Sequence, residues 1–549
     1  MRRRSVVSAL LLSLGSGAAV PAAAADPAPA SAPASAPASA PASAPASAPA
    51  PVAAAPRPLA QVVPVPASVK AAGGSFTLAE DAAIHVPAGS PAAAAVGRYL
   101  ASILRPSTGY DLPLTTSTRR QGIVLALDGG ADTGSEGYRL QSTPQAVVIR
   151  AASTAGLFHG VQTLRQLLPA AVERDFLQLG PWTVAGGTIM DRPRYAYRGA
   201  MLDVARHFHS VAQVERYIDQ LALYKINRLH LHLTDDQGWR IAISSRPRLT
   251  ARGGSTQVGG GEGGYYTKAE YQRIVRYAAS HYMLVVPEID MPGHTNAALA
   301  SYAELNCDGV VRAPYTGTAV GFSSLCVPKA ASGAFVEDVI REVAAMTPGP
   351  YVHIGGDEAR ATSRADYIAF MERAQQVVAR YGKTAIGWHQ ITVAPMAPGT
   401  IAQYWGTKGD EESVAAAARS GTRLIMSPAN HAYLDMKYDE ATPIGRTWAG
   451  YTEVRQAYDW NPASVVRGAP AASVMGVEAP LWSETVNDSS DIEYLAFPRL
   501  PAIAEVGWSP AATHSWTSFQ QRLAAQGPRW TALDIGYYPS PQVPWQFAY

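Results

Sequence analysis

From about Tyr195 onward, short apolar runs of strand length alternate with longer amphipathic runs of helix length. This alternation constrains the fold more than any other feature, because strand–helix–strand units build parallel sheets covered by helices. The candidate strands are 199–203, 228–233, 284–289, 351–354, 384–388, 401–404, 423–426 and 473–477. Capping boxes mark two helix starts: Ser210 with Gln213 precedes Val214, Tyr217, Ile218 and Leu221, and Thr267 with Glu270 precedes Ile274 and Val275. A third apolar stripe runs through Phe335, Val336, Val339, Ile340 and Val343. A fourth opens at Ser363, passes Phe370, Met371, Val377 and Val378, and stops at Gly382. Eight such units over roughly 350 residues predict an α/β fold, a (β/α)8 TIM-type barrel spanning 193–549.

In such a barrel the polar residues just past each strand converge on one mouth. Here they are Asp203-Val204-Ala205-Arg206-His207, then Thr234-Asp235-Asp236-Gln237-Gly238-Trp239-Arg240, then Glu288-Ile289-Asp290-Met291-Pro292-Gly293-His294. The fourth strand ends in two glycines and two carboxylates, Gly355-Gly356-Asp357-Glu358. Later strands supply Trp388, Trp405, Tyr433-Leu434-Asp435 and Trp482-Ser483-Glu484. An isolated Asp-Glu dipeptide is ordinarily a solvated turn. At a strand tip beside other carboxylates, mutual repulsion raises the pKa of at least one, as a general acid requires. Three tryptophans, a tyrosine, an arginine and several carboxylates around one mouth suit a sugar, whose C–H faces stack on rings and whose hydroxyls pair with charged groups. The stretch from Gly259 to Gly264 lacks the context of a phosphate loop and reads as a flexible loop.

Upstream the pattern differs. Residues 1–25 look like an export signal, with Arg2-Arg3-Arg4, an apolar run over 6–20, and Ala23-Ala24-Ala25 as a cleavage site, so a periplasmic or extracellular location is expected. Residues 26–57 repeat Ala-Ser-Ala-Pro and read as a disordered linker. Residues 58–192 mix β-like runs (75–78, 83–86, 123–127, 146–150) with helical runs at 92–104 and 155–168, which predicts a small α+β domain of structural role. A formal net charge of +2 argues against nucleic acid or a membrane as partner. The two cysteines, Cys307 and Cys326, are expected to form a disulfide in an exported chain.

Taken together, Asp203-Val204-Ala205-Arg206-His207-Phe208, the segment from His230 to Arg240, Pro287-Glu288-Ile289-Asp290-Met291-Pro292-Gly293-His294, His353-Ile354-Gly355-Gly356-Asp357-Glu358 and Trp482-Ser483-Glu484 resemble family 20 glycoside hydrolases, the β-N-acetylhexosaminidases. The resemblance spans about residues 60–530 and is nearest to secreted bacterial exo-acting enzymes. It implies substrate-assisted, retaining hydrolysis, the exception among glycosidases that use a carboxylate pair. By that resemblance Glu358 is general acid and then base. Asp357 accepts the acetamido N–H, Tyr433 orients the acetamido oxygen, and the substrate's own carbonyl is the nucleophile. Arg206 would hold the 3- and 4-hydroxyls, Glu484 the 4-hydroxyl and Asp435 the 6-hydroxyl, with Trp388, Trp405 and Trp482 lining the pocket. Asp235, Asp290 and His294 would tune Glu358 from behind. Neighbouring residues on an extended strand point opposite ways, a further reason not to read Asp357 and Glu358 as acid and nucleophile flanking one bond. No cofactor or metal is implied. The partner is an N-acetylhexosamine-terminated oligosaccharide, and the protein is a monomer or homodimer.

Other readings stay open at this point. Arg206 could be a barrel-mouth salt bridge, although Arg198 fits a structural arginine better. Asp290 and His294 could be a satisfied buried pair. His230 and His232 share a strand face, and with His294 and Asp357 they resemble the metal-ligand set of a barrel amidohydrolase. A disaccharide-releasing enzyme such as a lacto-N-biosidase would need a pocket open beyond the terminal sugar, which Asp435 and Glu484 are expected to close.

Overall fold

The structure, a computed structural model, describes residues 55–117, 121–129 and 133–545. The export signal and nearly all of the Ala/Ser/Pro repeat lie outside the described residues. No helix among the described residues is long and apolar enough to cross a membrane.

The first part is a mixed seven-stranded sheet: β1 (Ser68–Thr77), β2 (Ile84–His85), β3 (Leu114–Thr115), β4 (Gly122–Leu127), β5 (Tyr138–Ser142), β6 (Ala146–Ala151) and β7 (Thr183–Asp191), in the order β1-β7-β5-β6-β4-β2-β3. Two helices, Pro91–Thr108 and Thr154–Leu167, pack their buried sides on it. Ser90 and Ser153 cap them through backbone amides three residues on. The second helix lies so near the sheet that a Cβ on Gly160 would come within 2.5 Å of Ile149 Cγ2. The predicted α+β character is therefore present. Strands β3, β5 and β7 are additions to the four β-like runs and two helical runs read from the sequence.

The second part is a closed parallel barrel: β8 (Tyr197–Asp203), β9 (Arg228–His232), β10 (Leu284–Glu288), β11 (Tyr351–His353), β12 (Thr384–Trp388), β13 (Ile401–Tyr404), β14 (Arg423–Met426) and β15 (Val474–Leu481), with β15 pairing β8 to close it. Both predicted capping boxes form, at Ser210/Gln213 and Thr267/Glu270. Alternate residues point into the barrel, as the two-residue period requires. Its lower interior is filled by Tyr197, Val286, Ile386, Ile401 and Ile425. Two residues further along the same strands the filling becomes polar, with Glu288, Gln403 and Glu478 beside His230 and His353. Gly199 has no side chain because a Cβ there would meet Glu478 Oε2 at 2.5 Å.

The two parts share buried contacts. Arg198 on β8, fully buried, places both guanidinium nitrogens on Glu136, at 2.8 and 3.2 Å. Burial alone would push the Glu136 carboxyl up, but Arg198 overrides it and brings it down to about 2. Arg198 also lies over Trp508, whose indole N–H donates to Asp191 Oδ1 at 3.0 Å. Arg198 is thus the structural arginine that the sequence suggested.

Candidate active site

Strand β11 ends at His353, and three left-handed residues then carry the chain across the mouth: Gly355 (φ 63°), Gly356 (φ 100°) and Glu358 (φ 44°). The glycines are required by space as well as by φ. A Cβ on Gly355 would fall 1.7 Å from Asp290 Oδ1, the atom that accepts the Gly356 N–H at 3.1 Å. Tyr367 clamps the same turn by donating its hydroxyl to Gly356 O at 2.6 Å. The turn corrects one argument from the sequence. Asp357 and Glu358 lie beyond the strand, so alternation does not separate them. Asp357 Oδ2 and Glu358 Oε2 are 3.5 and 3.6 Å from a single atom, His294 Nε2. The two carboxylates therefore converge on one imidazole, the atoms concerned all lying within 4.8 Å of one another.

Behind them runs a chain of buried charge. His294 Nδ1 is 3.2 Å from Asp235 Oδ1, and Asp235 Oδ2 takes Arg206 Nη2 at 2.8 Å and His232 Nε2 at 2.7 Å. His232 Nδ1 continues to Glu288 Oε2 at 2.6 Å. Glu288 also receives the Trp388 indole N–H at 2.8 Å and lies 2.9 Å from His230 Nε2. His230 Nδ1 reaches Glu478 at 2.8 Å. Burial would discharge the imidazoles, but the flanking carboxylates override it, raising His230 to about 9 and His232 to about 10. His294 is likewise held well above its ordinary value, against burial, by Asp235 and then Asp357. Burial and the neighbouring Asp357 push Glu358 up, while His294, Arg360 and Arg206 oppose them. Burial, then Asp357, lifts Asp290 well above the carboxylate range.

Of the residues named from the sequence, Arg206, His294, Asp357, Glu358, Trp405, Tyr433, Asp435, Trp482 and Glu484 line one cavity of about 450 Å3. Its volume is that of a small-molecule site. Asp235 and Asp290 stand behind it, both buried. Trp388 lies deeper: its ring packs on Trp482 at 5.6 Å and, fully buried, it supports the wall from behind. Arg206 forms the salt bridge considered for it, with Asp235, and also lies over Trp482, 4.8 Å from the ring centroid, at the cavity wall. Asp357 Oδ1, Asp435 Oδ1, Glu484 Oε2 and Arg206 Nε are buried without a protein partner. Unpaired buried polar atoms are unfavourable by roughly 1–3 kcal/mol each, so a cavity holding several is built for a ligand rich in hydroxyl and amide groups. Burial, then Glu484, holds Asp435 well above the ordinary carboxylate range, and Tyr433 is likewise held high by burial and Asp435.

The sequence reading missed Thr318, Val320, Arg360, Arg446 and Trp448, which also line the cavity. All five come from long connections. Thr318 and Val320 belong to the loop closed by the Cys307–Cys326 disulfide, which forms as expected. Trp448 meets both Trp405 and Tyr433 edge-on at 5.8 Å. An aromatic residue in a long loop after a barrel strand was the available signal. The set considered for a metal does not assemble. Among the described residues, no group of candidate ligand atoms within 4.8 Å of one another joins His230 or His232 to His294 or Asp357. Both ring nitrogens of His232 are taken by carboxylates.

With this geometry in view, comparison with known proteins settles the family. The profile of the glycosyl hydrolase family 20 catalytic domain matches residues 195–366 and 361–511, and that of the family's domain 2 matches 59–192. The chain belongs to glycosyl hydrolase family 20. A β-N-acetylhexosaminidase of Cellulomonas fimi is 42% identical over 88% of this chain and 97% of its own. The family 20 β-N-acetylhexosaminidase of Streptomyces coelicolor A3(2) is 60% identical, covers 90% of this chain and 100% of its own, and superposes with a TM-score of 0.88. A mutant Streptomyces plicatus β-hexosaminidase in complex with product (GlcNAc) gives 60% identity, 90% and 99% coverage and the same TM-score. The family 20 barrel here therefore carries its paired carboxylates at the strand ends where barrel enzymes build their sites.

Proposed function

We propose that this family 20 member is an exo-acting, retaining β-N-acetylhexosaminidase that releases terminal β-linked GlcNAc or GalNAc by substrate-assisted catalysis. The observation that carries the reading is that Asp357 and Glu358 converge on one imidazole, both within 3.6 Å of His294 Nε2. A pair so placed, with atoms within 4.8 Å of one another, is tighter than the roughly 5–5.5 Å that an acid and a nucleophile keep across one anomeric carbon. The nucleophile then comes from the substrate, whose 2-acetamido carbonyl is already close and oriented.

In the first step Glu358 donates its proton to the leaving glycosidic oxygen while the acetamido oxygen attacks the anomeric carbon, forming an oxazolinium ion and releasing the aglycone. Asp357 accepts the acetamido N–H and offsets the developing positive charge. The Tyr433 hydroxyl donates to the acetamido oxygen and aims it. In the second step Glu358, now a carboxylate, takes a proton from water as that water opens the oxazolinium ring from the face the aglycone left. Configuration is retained. Burial and Asp357 raise Glu358 toward the range a general acid needs, and the imidazolium of His294, fixed by Asp235, restrains it on the second carboxylate oxygen. Arg206 holds the 3- and 4-hydroxyls, Glu484 the 4-hydroxyl and Asp435 the 6-hydroxyl, with Trp405 and Trp482 on the ring faces and Trp388 behind them. Burial of Asp435 favours a pocket closed around one terminal sugar. Residues 1–25 support export, and the natural substrate is an N-acetylhexosamine-capped oligosaccharide.

Nitrophenyl β-N-acetylglucosaminide and β-N-acetylgalactosaminide test the reading. Hydrolysis with β-anomer released first in the NMR spectrum, and inhibition by a thiazoline analogue of GlcNAc far tighter than by GlcNAc itself, are the expected results. Release of the α-anomer, or a thiazoline no better than free GlcNAc, would overturn it.

A further inference from the structure

The general acid has a partner that the reaction does not need. Arg360 Nη2 donates to Glu358 Oε1 at 2.7 Å, while the other oxygen, Oε2, faces His294. The groups bearing on Glu358 are thus Asp357, His294, Arg206 and Arg360. Two of them differ in freedom. His294 is buried and tied to Asp235, whereas the Arg360 side chain is 65% exposed and leans on Gly321, where an added Cβ would meet Arg360 Cδ at 2.9 Å. A guanidinium is a donor only, so while it occupies Oε1 that oxygen cannot carry the proton the leaving group must receive. Arg360 has to move before Glu358 acts from that oxygen.

The surroundings indicate what would move it. A groove of about 510 Å3 adjoins the catalytic cavity and shares Glu358, Arg360 and Trp405 with it. It also contains Arg364, whose guanidinium has no ion-pair or hydrogen-bond partner among the described residues, and His389, which burial brings down to about 4 and so keeps neutral. Its one carboxylate besides Glu358 is Glu411, which already accepts the Tyr404 hydroxyl at 2.6 Å. Arg446, which lines the catalytic cavity, likewise has an unpaired guanidinium among the described residues. The groove beside Glu358 is therefore cationic, and an oxyanion there would satisfy what Glu358 now satisfies alone.

We propose that Arg360 is a specificity-determining residue that releases the general acid when the departing group carries an oxyanion, so that the enzyme favours N-acetylhexosaminides whose aglycone bears a carboxylate, sulfate or phosphate. An anionic aglycone takes the Arg360 N–H groups from Glu358 Oε1, and the freed carboxyl holds a proton drawn from water and delivers it to the glycosidic oxygen. A neutral aglycone must break the ion pair without replacing it. The inference rests on Glu358 being the general acid.

The test compares a nitrophenyl β-N-acetylglucosaminide with a ring-carboxylated analogue of matched leaving ability, on the wild-type protein and on Arg360→Gln and Arg360→Lys. The side chain is exposed, so folding is not at stake. The wild type is expected to prefer the carboxylated substrate by about threefold to tenfold in kcat/KM, the scale of one charge-assisted contact near the surface. Arg360→Gln should abolish that preference and shift the alkaline limb of kcat/KM on the neutral substrate to higher pH, because Glu358 loses a neighbouring cation. Arg360→Lys should keep part of the preference. An unchanged ratio and limb in Arg360→Gln, or a wild type that prefers the neutral substrate, would overturn the proposal. If the wild type leaves both substrates intact, the glycosidase reading fails instead, so the two failures are distinguishable.

Discussion

The lower and upper fillings of the barrel are equally dry and chemically opposite. Val286, Ile386 and Ile401 plug the lower part, while two residues on along the same strands Glu288, Trp388 and Gln403 plug the upper part; all six are within 3% of full burial. The lower plug gains stability by leaving water. The upper plug gives up hydration and recovers it only through mutual pairing, which at best breaks even with a hydrocarbon filling. The difference teaches what the upper part is for. Its charges end at the mouth, where Asp235 and His294 hold Asp357 and Glu358, and stability alone would not have selected them.

Breaking the upper part at its tip has the largest predicted effect. Glu358→Gln should lower kcat/KM on substrates with poor leaving groups by about 10²–10⁴-fold, and much less on activated aryl glycosides that need no protonation. Equal losses on both would mean that Glu358 is not the acid. Glu288→Gln attacks the same network from below. Removing the negative charge that Trp388, His230 and His232 share should destabilise the fold by about 3–5 kcal/mol in denaturant unfolding, with a further loss of kcat in the fraction that stays folded. Ile386→Ala is the control from the lower plug. It should destabilise by about 2–5 kcal/mol yet leave the kcat of the folded fraction near wild type, and a loss of kcat as large as that of Glu288→Gln would erase the contrast.

The smallest predicted effect is on pH. His230, raised to about 9, and His232, raised to about 10, bind protons more tightly folded than unfolded. Their stabilisation is complete below the ordinary 6.5 and is lost as pH rises toward those values. Lys225, brought down to about 8 by burial, works in the opposite direction at higher pH. The melting temperature should therefore decline between pH 6.5 and about 8, and a flat or rising curve over that interval would contradict charged imidazoles in the upper plug. Activity follows a related sign: on the proposed mechanism Glu358 acts in its protonated form, so kcat/KM should fall as pH rises through its elevated pKa.

Much of the barrel was legible because its strands are short apolar runs bounded by polar ends. The runs at 384–388, 401–404 and 423–426 coincide with β12, β13 and β14. The glycine pair before Asp357 announced the turn that presents the carboxylates. The direction of those carboxylates was not legible, because it follows from the left-handed φ of Glu358 in a turn that Asp290 and Tyr367 hold at Gly356. Strand β7 escaped because Gly186 and Gly187 interrupt its pattern; each lies against the backbone of β1 or the turn within it, where no Cβ fits. Trp448, Arg446 and Arg360 escaped because loop residues have no periodicity, and only the closed barrel brings them to one cavity. Trp388 shows the reverse error of scale: a tryptophan at a strand end reads as a wall, while the structure sets it one layer deeper.

The central claim is that the nucleophile belongs to the substrate, and one series measures it. Nitrophenyl glycosides of glucosamine, with the N-acetyl group progressively fluorinated, weaken the carbonyl oxygen without changing the leaving group. The account predicts that kcat/KM falls steeply with each fluorine, by an order of magnitude or more across the series. A rate indifferent to fluorination would place the nucleophile on the protein and contradict it.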